Sequence, residues 1–226
     1  MTLSSVAENS VLVSFGDTID PALTPRIAAF CETAEAELGS VIIDLVPSYT
    51  TVLCTYDVAI IDFRRMERRL HEILTDLDNR PLTAQLDFQR HHLPVFYHPD
   101  VGPDLSALAD YARLSVAEVI QRHTAVDYQV FAIGFSPGFG FLGEVDPVLA
   151  APRHASPRTH VAAGSVAIAN RQTAVYPLAS PGGWQLIGRS PAKMFDSHSL
   201  SRLKVGDRVR FYEVDRACFL ELGGEI

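Results

Sequence analysis

Acidic residues are missing from one long stretch of this chain. Between Pro147 and Phe195 there is no Asp or Glu, where the chain's average content would place about six. The same stretch carries Arg153, Arg158, Arg171, Arg189 and Lys193, with His154 and His160. In a chain of formal net charge −8, such a gap marks a local positive field that would hold an anionic ligand or a partner's carboxylate. A glycine-rich β region that simply lacks acids is the plainer account of the same gap. Lysine is scarce too, with Lys193 and Lys204 the only two, so arginine supplies nearly all the positive charge. Its planar fork suits carboxylates and phosphates better than an ammonium does. Three cysteines, Cys31, Cys54 and Cys218, are far apart and match neither a zinc spacing nor a disulfide framework, which fits a reduced, cytoplasmic protein. No apolar run reaches the roughly 18 residues of a membrane span. The first ten residues lack a basic segment followed by an apolar one, so no signal peptide is expected. Net acidity argues against nucleic acid as the main partner. There is no Walker A pattern and no G-x-G-x-x-G after a strand, so no ATP site is legible, and no stably bound cofactor is expected.

What is present is enough for a sizeable core: 226 residues, 47% of them hydrophobic, which suits two domains of ordinary size. Val11 to Phe15 reads as a strand. Asp20-Pro21 opens a helix that runs to Leu38 and stops at Gly39. Val41 to Val46 and Thr50 to Tyr56 read as a strand pair. Phe63, Met66, Leu70, Ile73, Leu74 and Leu77 recur at helical spacing, with Arg64, Arg65, Arg68 and Arg69 on the other faces, a solvated surface or a docking one. A strand from Leu86 to Tyr97 completes a β-α-β-β-α-β order, which predicts a small ferredoxin-like α/β domain over residues 1–85. His91 and His92 would point to opposite faces of that strand, so with His98 they make a poor metal site, and none is expected.

Residues 86–226 then predict a second domain. A short helix spans Asp104 to Leu114, and a capping box at Ser115 to Glu118 opens another that ends near His123. From Asp127 the pattern turns to short strands broken by glycine and proline: Tyr128–Ile133, Val161–Ala169, Thr173–Leu178, Trp184–Ile187 and Arg208–Tyr212. They indicate a β-barrel or sandwich and an overall α+β class.

Gly134-Phe135-Ser136-Pro137-Gly138 matches the G-x-S-x-G of a nucleophile elbow, which needs a helix straight after its serine. Proline and two glycines follow instead, so a rigid turn presenting backbone N–H groups is the better reading. Ser156 to Thr159 fixes Arg158 in a loop, and Asn170 to Thr173 reads as a strand-connecting turn with Arg171 and Gln172 on it. Ser180 to Trp184 lets the backbone approach closely and then sets an aromatic wall. Arg189 adds a further cation. Together these segments predict an aromatic pocket with two or three guanidinium groups, suited to a small carboxylate or imide-like substrate, although each alone is explicable as structural.

The run from Phe131 to Asp196, with Val101 to Leu105 and His123 to Tyr128, closely resembles the KipI / allophanate hydrolase subunit 1 family, which includes the 5-oxoprolinase subunit PxpB. The resemblance spans nearly the whole chain and is strongest after residue 85. It implies a cyclophilin-like β-barrel of the carboxyltransferase C–D type behind the small first domain. It also implies a KipA / allophanate hydrolase subunit 2-like partner, with a LamB/YcsF-like protein as the further member of the complex. His123, Ser136, Phe139, Arg158, Arg171, Gln172, Tyr176, Trp184 and Arg189 are the substrate-binding candidates that match the family's motifs, and no catalytic residue is assigned. Asn170-Arg171 departs from the glycine-rich form of that turn and adds a cation. The leading expectation is a subunit of an ATP-dependent 5-oxoprolinase, inactive alone. Allophanate or urea-carboxylase-type chemistry and inhibition of a sensor histidine kinase are the alternatives. Prolyl isomerisation has only the barrel to support it, and a barrel carries no function of its own.

Overall fold

The computed structural model describes residues 1–79, 88–198 and 200–226. The chain divides into two compact units, Met1–Asp87 and Phe88–Ile226. In the first, β1 (Thr2–Ala7), β2 (Ser10–Ser14), β3 (Ile42–Ser48) and β4 (Thr51–Tyr56) form an antiparallel sheet in the order β1-β2-β4-β3. Alternation along β2 and β4 buries Val11, Val13, Val52, Cys54 and Tyr56 in one core with α1 (Thr24–Leu38) and α2 (Phe63–Asn79). Asp20 caps a short 3-10 turn at Pro21–Leu23, accepting from the Ala22 N–H at 2.9 Å, and α1 follows. α2 buries the apolar stripe from Met66 to Leu77 and leaves Arg64, Arg65 and Arg68 exposed, while Arg69 reaches Glu37 and Glu72 at 3.0 and 2.6 Å.

The second unit contains β5 (Arg90–Val95), α3 (Leu105–Ala112), α4 (Val116–Thr124), β6 (Asp127–Ile133), β7 (Gly140–Gly143), β8 (Arg158–Val161), β9 (Ser165–Ala169), β10 (Gln172–Val175), β11 (Ser180–Gly182), β12 (Gln185–Arg189), β13 (Phe195–Asp196), β14 (Leu200–Ser201), β15 (Arg208–Glu213) and α5 (Arg216–Glu221). Hydrogen bonding runs β5-β15-β6-β7-β10-β9-β12. Among the described strands of this order, only the β5–β15 pair is parallel. Phe96, just past β5, exchanges both backbone hydrogen bonds with Arg189 of β12 at 2.8 and 3.0 Å, which closes the ring into a barrel. The barrel's interior holds Val95, Tyr128, Val130, Leu142, Val166, Ile168, Val175, Ile187, Val209 and Phe211. The alternate residues on β9, β10 and β12, namely Ala167, Ala169, Ala174 and Leu186, face the other way and are buried as well, in a separate cluster with Phe139, Tyr176 and Trp184. Strands covered on both faces, with alanine on the outer one, leave room for a layer of aromatic rings outside the barrel wall. The ribbon of β8 and β11 lies in the same cluster through Val161.

Two expectations need correction. The strand that was to complete the first domain begins among residues outside the described set, as does the 85/86 boundary, and its described part, β5, pairs with β15 in the second unit. The place beside β2 is taken by β1. The single strand expected over Val161–Ala169 is two strands with a turn between them: Gly164 has φ +78° there, and a Cβ on it would meet the Ser190 carbonyl oxygen at 2.3 Å. The turn at Asn170-Arg171 is as expected, a two-residue hairpin with Asn170 at φ +51°. Among the described residues no helix is long and apolar enough to cross a membrane, and no group of three or more His, Cys, Asp or Glu is placed to hold a metal ion.

Candidate functional site

The outer aromatic layer is not fully closed, and it encloses a cavity of about 390 Å³. Phe139 is its hub. The ring meets Phe141, Phe135, Tyr176 and Trp184 edge-on, with centroids 4.9, 5.2, 5.3 and 5.6 Å away. Pro157, Pro181, Gly182 and Gly183 line the opposite side, and Arg153 and His154 stand on the polar edge. Gly182 is required by contact: a Cβ on it would lie 2.3 Å from the Tyr176 hydroxyl. Burial raises the pKa of that hydroxyl, opposed by a backbone hydrogen bond from Trp184 and by the charges of Arg153 and Arg158. Phe135 is 64% exposed and has φ +70°, a left-handed conformation that a bulky residue adopts only where its surroundings impose it.

Of the residues proposed from sequence, Phe139, Tyr176 and Trp184 come together in this cavity. Ser136 lies in the adjoining turn, its hydroxyl buried without a hydrogen-bond partner. The turn joins β6 to β7 with no helix after the serine, so the nucleophile elbow is absent. The three arginines do not line the cavity. Arg158 donates to Asp104 at 2.6 Å, Arg171 pairs with Glu144 at 2.6 Å, and Arg189 donates to the Glu225 carbonyl at 2.8 Å. Gln172 opens β10, in register with Ala169 and Gly143, and does not line the cavity. His123 is 0% exposed inside the barrel, with Nδ1 2.7 Å from the Tyr97 hydroxyl and Nε2 2.9 Å from that of Thr173. Burial pushes its pKa down to about 3, so it is neutral. The acid-free stretch therefore does not hold a cluster of idle cations, because carboxylates from outside it fold back onto two of the three.

Sequence reasoning missed Asp104. At the start of α3 an aspartate ordinarily caps its own helix, yet this side chain makes no capping bond. It accepts instead from the Leu186 N–H at 2.7 Å and from Arg158, and it lies 3.3 Å from Nε2 of His154. One buried carboxylate thus ties together β12, β8 and the segment carrying His154. Arg158 also reaches the Trp184 carbonyl at 3.5 Å, which fixes the wall behind the indole. Arg153 and His154 themselves were legible only as two basic residues among several.

Relatives support a single assignment. The carboxyltransferase domain, subdomain C and D, matches residues 1–203. The chain is 34% identical to the 5-oxoprolinase B subunit of Bacillus subtilis over 94% of this chain and 92% of that one, and 34% identical to the Haemophilus influenzae protein of the same name over 93% and 97%. Among solved structures, an uncharacterized protein from Pyrococcus horikoshii is 34% identical, superposes with a TM-score of 0.57, and covers 96% of this chain and all of its own. The Kluyveromyces lactis urea carboxylase shares the fold at 18% identity and a TM-score of 0.75, with this chain spanning 22% of its length. A further solved chain, TTHA0988, is 35% identical with a TM-score of 0.79, and this chain spans 40% of it. The chain belongs to the carboxyltransferase subdomain C and D family, alongside the 5-oxoprolinase B subunits.

Proposed function

We propose that this chain is a subunit of an ATP-dependent 5-oxoprolinase, which opens 5-oxoproline to glutamate together with a KipA-like subunit and a LamB/YcsF-like protein. The observation that carries the reading is the aromatic cavity with its cationic edge, in a chain aligned almost end to end with two proteins named as 5-oxoprolinase B subunits. 5-Oxoproline has ring methylenes that suit the faces and edges of Phe139, Tyr176 and Trp184, and a carboxylate that suits the edge. ATP is a substrate of the complex in this reading, with no residue of this chain assigned to it. A cyclophilin-like barrel and a cytoplasmic setting belong to the same proposal. The test is reconstitution. The purified chain alone is expected to release no glutamate from 5-oxoproline, and co-expression with the two partner proteins is expected to restore ATP-dependent release. A reconstituted complex that ignores 5-oxoproline but consumes allophanate would replace this reading, as would stoichiometric block of a histidine kinase by the chain alone.

A further inference from the structure

Four arginines of the acid-free stretch lie on or near the barrel wall, and their partners separate them. Arg158 is held by Asp104, Arg171 by Glu144 and Arg189 by the Glu225 carbonyl. His154 turns its buried Nε2 toward Asp104. Arg153 differs from the other three arginines. Among the described residues no carboxylate lies within 4 Å of its guanidinium and no protein acceptor takes a hydrogen bond from it. It stands on the cavity's edge, 5.7 Å above the Trp184 ring. The indole face holds a guanidinium by cation–π attraction without occupying its N–H groups, so the fork is oriented and its donors stay available.

We propose that Arg153 is the specificity-determining residue of the cavity: its guanidinium takes the carboxylate of a small cyclic substrate in a bidentate pair, while the aromatic rings take the ring's methylenes. The inference rests on the reading of the cavity as a 5-oxoproline site, and it names what selects that substrate over an uncharged lactam. The charge facing the bound carboxylate is that of Arg153, with the His154 ring beside it, and behind them lies the Asp104–Arg158 pair, whose opposite charges largely offset one another. A carboxylate–guanidinium fork is stronger and more directional than a neutral hydrogen bond.

Trp184 is the chain's only tryptophan, so the fluorescence of the purified chain reports on this cavity directly. Titration with 5-oxoproline is expected to change that emission saturably, and 2-pyrrolidinone, the same ring without the carboxylate, is expected to bind more weakly. Arg153→Ala should weaken 5-oxoproline about 10- to 100-fold, as loss of a charged hydrogen-bonded pair does. It should leave 2-pyrrolidinone unchanged, and Arg153→Lys should fall between. In the reconstituted complex the same variants should raise KM for 5-oxoproline while kcat stays within about two- to threefold. Equal weakening of both ligands, or no weakening of 5-oxoproline, would overturn the role of Arg153 while leaving the cavity as the site. If wild-type Trp184 emission responds to neither ligand, in the chain or in the active complex, the cavity reading fails and the role of Arg153 with it.

Discussion

His123 sits in the barrel with both ring nitrogens on protein hydroxyls and its ring stacked on Phe211, centroids 4.8 Å apart. In the neutral imidazole one nitrogen donates and the other accepts, so the two hydroxyls satisfy it fully. Its folded pKa, about 3, lies below the ordinary 6.5, and burial is the cause. The linkage has one sign. Above about 6.5 neither state binds the proton, but below it the unfolded chain takes up a proton that the fold refuses. This histidine therefore removes stability as pH falls, by about 1.4 kcal/mol per pH unit, until the folded value is reached. Urea denaturation at pH 7 and pH 5 should show a larger drop for the wild type than for His123→Gln, which keeps a donor and an acceptor but does not titrate. Parallel drops in the two proteins would assign the acid sensitivity to other groups. The same residue marks a limit of motif matching: a histidine at a family position held a packing role here, with no route to the cavity.

At the scale of single elements, α4 is the one whose sequence and structure agree most closely. Ser115 Oγ accepts from the Glu118 N–H at 3.3 Å, and Glu118 reaches back to the Ser115 N–H at 2.8 Å, a complete capping box. That backbone hydrogen bond, and then the serine hydroxyl, hold the Glu118 carboxyl below the usual carboxylate range. Ser115→Ala should cost about 1 kcal/mol, read as a lower urea midpoint with an unchanged m-value. A change in m would mean that the helix does more than pack on the barrel. The stripe of α2 and the Asn170-Arg171 turn were legible for the same reason, since each is fixed by residues within a few positions of one another. β1, β7 and β11 were not, because strands of three to six residues without strong alternation carry little local signal. The cavity was half legible. Phe139, Tyr176 and Trp184 stand beside glycine and proline turns that flag close packing, whereas the pairing of Arg158 with a carboxylate 54 residues earlier is set by the barrel's closure alone. Charge counted along the sequence therefore suggested three available arginines where the fold leaves a different one.

At the scale of the whole molecule, formal charge is divided unevenly. Residues 1–87 carry 6 Lys and Arg against 14 Asp and Glu, and residues 88–226 carry 13 of each, so the entire net −8 belongs to the first unit. The proposed preference of the cavity for an anion would therefore come from the local arrangement at its edge and not from a net positive barrel. The barrel in turn depends on a segment beyond the matched family residues, which end at 203. β15 lies between β5 and β6, and without it those two strands lose their common neighbour and the ring opens. Its Val209 and Phe211 are buried in the interior, Phe211 against His123 and Tyr128. α5 adds less: Phe219 completes a small cluster with Phe96, Val101 and Val214. A chain ending at Leu203 should thus lose near-UV circular dichroism from the second unit, together with any Trp184 response to ligand. A chain ending at Asp215 keeps β15 and should fold, less stable by the roughly 3–5 kcal/mol typical of losing a buried phenylalanine. Cooperative unfolding of the Leu203-terminated chain at the wild-type midpoint would show that the barrel closes without β15, contrary to the hydrogen-bond order that defines it.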